Sequence, residues 1–411
     1  MLLSHEEEQM LSGDFGKGPQ WALEFQLHVG EYFGAQRFVP IHNAHLVADM
    51  EVMGQAGLDF VKNLVNSQCK VTIPTTLNAG FTDPLYAHLL GQDLELVERQ
   101  HELKNYLQTL GVLNIDTCIN YQSVYQPHLG EHVAWGDTGT VCYANSIFGA
   151  RSNFEAGPAA LAAGITGRVP MYGYHLESQR KATTLVNLTT ALQDMADWGA
   201  LGAAVGRRLQ SYWEVPFFRM PTMTTRSDDL KHLGASLASY GSTALFGIES
   251  ITPEWEEMIM GNNSLPEITI GKKELQHVYE SYQMTSHDDA VDLVVFSGPQ
   301  QSIYELGMIA ELLDGKKVHE NTQLILTTNS AYRLWGKTLG YINKIEQAGG
   351  IVLTGVCFYL MTIDRLQKQH NWHTLVTNSA KLANIVGAYP YQPILRRTRD
   401  CVEIALKGRI G

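Results

Sequence analysis

Little in this 411-residue chain points to cross-linking, membranes or nucleic acid. Its five cysteines, Cys69, Cys118, Cys142, Cys357 and Cys401, form an odd, widely spaced set, which excludes a disulfide framework as the organising device. No C-x-x-C pair occurs, so a zinc or ferredoxin site built from sequence neighbours is excluded, while one assembled from distant cysteines stays open. No apolar run reaches the roughly 18 residues that a membrane span needs. The opening MLLSHEEEQML lacks the basic and apolar segments of a signal peptide, so the expected location is the cytoplasm. A net charge of −12 argues against a nucleic-acid-binding face and for a small-molecule or protein partner. There is no G-x-S-x-G elbow, no P-loop and no Ser/His/Asp set arguable from spacing. The run Gly199 to Gly206 reads G-x-x-G-x-x-x-G after a helix, a pattern for close packing rather than for a dinucleotide.

What is present is an ordinary globular composition, 45% hydrophobic and 18% charged, in a chain long enough for two or three subdomains. A capping box at Ser4 and Glu7 predicts a short helix ending near Gly13. A longer helix follows over 21–33, and RFVPIHNAHLV reads as a strand entering a loop and helix. Val71 to Ile73 reads as a strand, 93–110 as an amphipathic helix stopped by Gly111, and ATTLVNLTTALQDMADWG as a helix from about Ala182. After Asp292 the pattern is regular: DLVVF, QLILTT, IVLTGV and HTLV are short apolar strands alternating with helices, the first helix opened by a box at Ser302 and Glu305. We therefore expect an α/β protein with an N-terminal α/β region over 1–285, made of two interleaved subdomains, and a doubly wound unit over 286–411.

Such sheets bind ligands at the carboxyl ends of their strands. Those ends carry Ser297-Gly298-Pro299-Gln300, Thr327-Thr328-Asn329-Ser330, Thr354-Gly355-Val356-Cys357 and Thr377-Asn378-Ser379. Hydroxyl and amide clusters there serve as helix caps or cradle a carboxylate or phosphate. Further polar clusters are His42 and His45, Thr75, Thr76 and Asn78, Arg151 and Asn153, His175, and Lys381. Arginine suits a bidentate grip on an acid. The bland reading of His175 is a structural histidine and that of Lys381 a solvated one. His42 and His45 could share a metal, but no third ligand is near in sequence.

Several segments together resemble the aconitase X family, in its catalytic large-subunit form, over nearly the whole chain: SHEEEQMLSGDFG, HNAHL, VTIPTTLNAGFTDP, AWGDTGTVCYANSIFGARSNFEAGP, PMYGYHLESQR, FGIESITPE, VDLVVFSGPQQSIYEL and VTNSAK. The resemblance implies an aconitase-like multidomain architecture and a hydro-lyase that removes water from a small hydroxylated acid, foremost cis-3-hydroxy-L-proline to Δ1-pyrroline-2-carboxylate, with mevalonate 5-phosphate as the alternative. It implies an iron centre held by cysteines from separate loops. It places Asn145, Ser146, Arg151 and Asn153, with Thr75, Thr76, Asn78 and His175, at the substrate, and Lys381, His45 and Ser379 among the catalytic groups. It also implies a separate small subunit completing a heterodimer.

The chain departs from the family's pattern where metal would bind. The family's TCTPY stands here as Thr117-Cys118-Ile119-Asn120-Tyr121, its GCPH as Ser297-Gly298-Pro299-Gln300 and its DTC as Gly355-Val356-Cys357. Cys118 and Cys357 match ligand positions, Gly298 cannot ligate, and Cys401 is a candidate third ligand or a plain helix cysteine. The expected cofactor is a [2Fe–2S] or incomplete iron–sulfur cluster, a mononuclear iron, or none. A divergent dehydratase or isomerase, or a non-catalytic acid-binding homologue, are the rival readings; bound iron favours the enzyme, and metal-free protein with intact ligand affinity favours the binding module.

Overall fold

The structure, a computed structural model, describes residues 1–261, 264–283 and 289–410. It is a mixed α/β architecture with three parallel sheets. The expected division between residues 285 and 286 falls outside the described residues. The first sheet has the order Thr75–Leu77, Ala44–Leu46, Ala134–Trp135 and is all parallel. The second runs Gly247–Ile248, Pro216–Arg219, Thr184–Leu188, Glu267–Ile270, and the third Ile351–Thr354, Gln323–Thr328, Leu293–Phe296, Thr374–Thr377, Gln392–Leu395.

The third sheet is the doubly wound unit that the alternating pattern predicts. Its central strand, Leu293–Phe296, is buried at every residue, because helices cover both faces of a parallel sheet and the strand must be apolar throughout. Burying each such side chain contributes about 2 kcal/mol. The boxes at Ser4/Glu7 and Ser302/Glu305 both form. The helical segment between Gln323–Thr328 and Ile351–Thr354 breaks at Gly340, whose φ of 79° separates Ser330–Thr338 from Tyr341–Ala348.

Two expectations are corrected. The helix expected from Ala182 begins instead as the strand Thr184–Leu188, and the helix starts only at Met195, capped by Asp194. Its β-branched threonines and valine fit a pleated sheet better than a helix. The strand expected at Val71 to Ile73 lies at Thr75–Leu77, on the far side of Pro74; proline has no N–H to give a ladder but is tolerated just before a strand. The glycines of Gly199 to Gly206 sit inside the helix Met195–Gly206, where a Cβ on Gly202 would stand 2.8 Å from Leu233 O; they let this helix press against Ser227–Gly241.

Candidate active site

Loops from the first and third sheets meet at their strand ends. After Thr75–Leu77, Gly80 donates its N–H to Gly355 O at 3.0 Å and accepts from Cys357 N–H at 3.1 Å. Gly355 needs its freedom: its φ is 73°, and a Cβ there would stand 2.8 Å from Asp116 Cβ. The next loop of the first sheet brings Thr117 and Cys118 onto Gln300, whose backbone N–H donates to Cys118 Sγ at 3.3 Å. The thiols of Cys118 and Cys357 are both buried and close enough to shift each other's ionisation. Ser297 Oγ lies 3.9 Å from Cys357 Sγ, and the buried Tyr359 is near enough to influence the ionisation of Cys357.

Lys381 closes this centre from the helix Ala380–Val386. Its Nζ donates to Thr138 Oγ1 at 3.2 Å and lies 3.8 Å from Asp137 Oδ1. Asp137 is fixed as the cap of Thr138–Tyr143, accepting from the N–H groups of Gly139 and Thr140 at 2.9 and 3.3 Å. Burial opposes the Lys381 charge, but Asp137, Cys357 and Cys118 outweigh it and raise its pKa. Burial likewise opposes a thiolate at Cys357, yet the hydrogen bond from Cys118 and the Lys381 ammonium bring it below the ordinary thiol range. Cys118 moves the other way, through its bond to Cys357 and burial. The two thiols are therefore pushed in opposite directions beside the Lys381 ammonium. His45 Nδ1 lies 2.8 Å from Thr76 Oγ1 and Nε2 3.3 Å from Asn78 Oδ1. Burial lowers the His45 pKa to about 4, so its imidazole is neutral near pH 7.

The structure thus brings Cys118, Cys357 and Lys381 together, with His45, Thr76 and Asn78 at the edge through the field of Asp137 on His45. It places the other candidates elsewhere or in other bonds. Thr75 Oγ1 donates to Ile73 O at 3.1 Å. Asn145 donates to Ser152 O and Ala244 O and accepts from Ser152 N–H, and Ser146 Oγ accepts from Phe246 N–H. Asn153 bridges Tyr172 O and Tyr174 N–H. Arg151 pairs with Glu254 and Glu177, while Arg180 also holds Glu254. His175 Nδ1 faces His132 Nδ1 at 2.9 Å. Ser379 caps the Lys381 helix, its hydroxyl donating to Gly298 O. Asp137, Thr138, Tyr359 and the stitching by Gln300 were not singled out from the sequence. Asp137 carries the plain signal of a helix cap, and the part played by Tyr359 follows only from how the chain folds back.

The thiols that this centre offers a metal are two. Cys401 Sγ contacts Arg396 O at 3.5 Å and has Asp194 and Asp400 as charged neighbours, and Gly298 brings no donor side chain. Among the described residues no three His, Cys, Asp or Glu side chains gather into a metal-ligating group. This donor set fits a metal centre that leaves most coordination positions to other ligands; it does not fit a cluster held by three cysteines of this chain.

Two parallel-sheet units that close their strand ends on a buried thiol–ammonium centre, in a chain with a third parallel sheet, define a multidomain α/β enzyme. Family models described as Aconitase X first, second and third domain match residues 1–178, 182–280 and 291–407. The chain is 35% identical, over 93% of its length and 94% of the relative's, to a phosphomevalonate dehydratase large subunit of Thermococcus kodakarensis. It is 29% identical to a cis-3-hydroxy-L-proline dehydratase of Hypocrea jecorina, over 99% of this chain and 69% of that one. The crystal structure of Thermococcus kodakaraensis aconitase X in its holo-form superposes with a TM-score of 0.88 at 33% identity, covering 98% of this chain and 100% of that one. The chain belongs to the aconitase X family and is a hydro-lyase, a dehydratase, of that family. Among the described residues no helix is long and apolar enough to cross a membrane.

Proposed function

We propose that this chain is the large subunit of an aconitase X dehydratase acting on a small hydroxylated carboxylic acid, first of all cis-3-hydroxy-L-proline. The observation carrying this reading is the buried Cys118–Cys357 pair facing the Lys381–Asp137 pair. Dehydration removes a proton from the carbon beside the carboxylate and hydroxide from the next carbon, leaving a double bond; from the hydroxyproline the resulting enamine tautomerises to the cyclic imine. Lys381 holds the carboxylate and, in a dry site, steadies the charge that builds on it as the proton leaves. Asp137 keeps Lys381 charged and aimed. His45, neutral and with both ring nitrogens engaged by Thr76 and Asn78, holds these two side chains in place at the edge of the site. Cys118 and Cys357 would hold an iron centre, a single ion or a small cluster completed by other ligands, and bound iron supplies Lewis-acid assistance to the leaving hydroxyl. A separate small subunit completes the site, as the name "large subunit" of the relatives suggests.

One cation and one carboxylate at the centre match a zwitterionic acid. A second reading, mevalonate 5-phosphate, is favoured by higher identity to the phosphomevalonate dehydratases and by their matching length. The test is to purify the chain anaerobically with its small subunit, measure iron and sulfide per protomer, and assay both acids. Imine formation from the hydroxyproline, dependent on iron, supports the first reading; turnover of the phosphorylated acid alone replaces it with the second; turnover of neither sinks both.

A further inference from the structure

The side chain of Gln300 is fully buried and joined on every side to the loops that carry the thiols. Its Oε1 accepts from Thr117 Oγ1 at 2.8 Å and from Cys118 N–H at 3.3 Å. Its Nε2 lies 3.2 Å from each of three carbonyl oxygens: Asp116 before Cys118, Val356 before Cys357, and Thr328 at the end of the neighbouring strand. Its own N–H donates to Cys118 Sγ, and its carbonyl accepts from Lys231 Nζ at 3.2 Å. Lys231 comes from the helix Ser227–Gly241, is wholly buried, and is neutralised by Asp228 and Glu305, with His232 on the other oxygen of Glu305. One carboxamide thus fixes the two thiol loops to each other, and a buried ion cluster fixes the residue that carries it.

We infer that Gln300 is a positioning residue: it sets the mutual placement of Cys118 and Cys357, and so the geometry at which the reaction runs. The second clause rests on the dehydratase reading; the first does not. A planar amide suits the task because it donates to carbonyls on one edge and accepts on the other. In Gln300→Glu the donor edge becomes oxygen facing three carbonyls. In Gln300→Asn the group is one methylene short of them.

The experiment reads the thiols directly. The full chain, wild type and Gln300→Ala, Gln300→Asn and Gln300→Glu, is treated metal-free with iodoacetamide under native conditions, and alkylation at each cysteine is followed by mass spectrometry. Cys69, Cys142 and Cys401, which Gln300 does not touch, serve as internal controls. The expected result is at least tenfold faster labelling of Cys118 and Cys357 in Gln300→Ala and Gln300→Glu, a smaller rise in Gln300→Asn, and control cysteines unchanged. In the assembled enzyme the same variants should lower kcat at least tenfold with KM within about threefold. Labelling at the wild-type rate overturns the proposal, as does an equal rise at all five cysteines, which would mark general loosening. Local labelling without turnover of either acid by the wild type leaves the positioning role standing and removes the substrate readings of the proposed function.

Discussion

Two polar regions of this molecule look alike in sequence and behave differently once folded. The stretch around Asn145, Ser146, Arg151 and Asn153 is dense in amides and charge, yet its groups bond to one another and to nearby backbone: Asn145 alone makes three hydrogen bonds with Ser152 and Ala244. The centre around Cys118, Cys357 and Lys381 has fewer polar residues, but their ionisation is displaced by one another. A polar run whose bonds close internally holds a scaffold in shape, and buried groups that perturb each other mark where chemistry is prepared. The difference is one of satisfaction, not of composition.

The contrast breaks most visibly at Lys381. Lys381→Met should reduce kcat/KM of the assembled enzyme by about 100-fold or more, the scale of losing a buried cation aimed at developing charge, with turnover lost even in the folded protein. Asn145→Ala should do the reverse. It strands Ser152 N–H and two carbonyls in a buried region, at about 1–3 kcal/mol for an unsatisfied group, so the melting temperature falls by several degrees while the folded enzyme keeps kcat within about threefold. If Asn145→Ala raises KM sharply without destabilising the chain, that stretch is a binding wall and the comparison fails.

The same distinction explains how much was legible in the sequence. The third sheet was, because strands buried on both faces are continuous apolar runs such as LVVF, and capping boxes at Ser4 and Ser302 mark helix starts by local chemistry alone. Thr184–Leu188 was misread because its apolar spacing suits either period and only its β-branched residues spoke for a strand. Within the centre, Cys118, Cys357, Lys381 and His45 could be named from motif resemblance, but Asp137 looks like any helix cap, and nothing about Gln300 in SGPQ foretells that its amide reaches carbonyls at Asp116, Thr328 and Val356. Whether a polar group is satisfied is decided by partners far away in sequence, and one chain read linearly does not display them.

A third test lies in the scaffold region. Glu155 is buried, and burial raises its pKa to about 7. The folded state therefore holds its proton more tightly than the unfolded chain between about pH 4.5 and 7, and stability falls as pH rises through that window. Glu155→Gln removes the loss. It should be more stable than wild type at pH 8, by on the order of 3 kcal/mol from the size of the shift, with the advantage gone near pH 4. Denaturant melts at both pH values check this; an advantage equal at both would mean that packing, not ionisation, distinguishes the two side chains.

The smallest effect is expected at Arg151, and it sharpens the comparison most finely. Its guanidinium holds Glu254 at 3.2 Å and Glu177 at 3.2 Å, but the Glu177 side chain is 88% exposed, so that pair contributes little. Glu254 does not depend on Arg151, because the buried Arg180 binds the same carboxylate. Arg151→Ala should then cost about 1 kcal/mol or less in stability, since Glu254 keeps a partner. With the arginine already committed to carboxylates, kcat/KM for the accepted acid should change by less than about threefold. A much larger fall in kcat/KM, with KM carrying it, would show that substrate takes Arg151 from Glu254, and the polar stretch would then join the active site through this one residue while Asn145 remained scaffold.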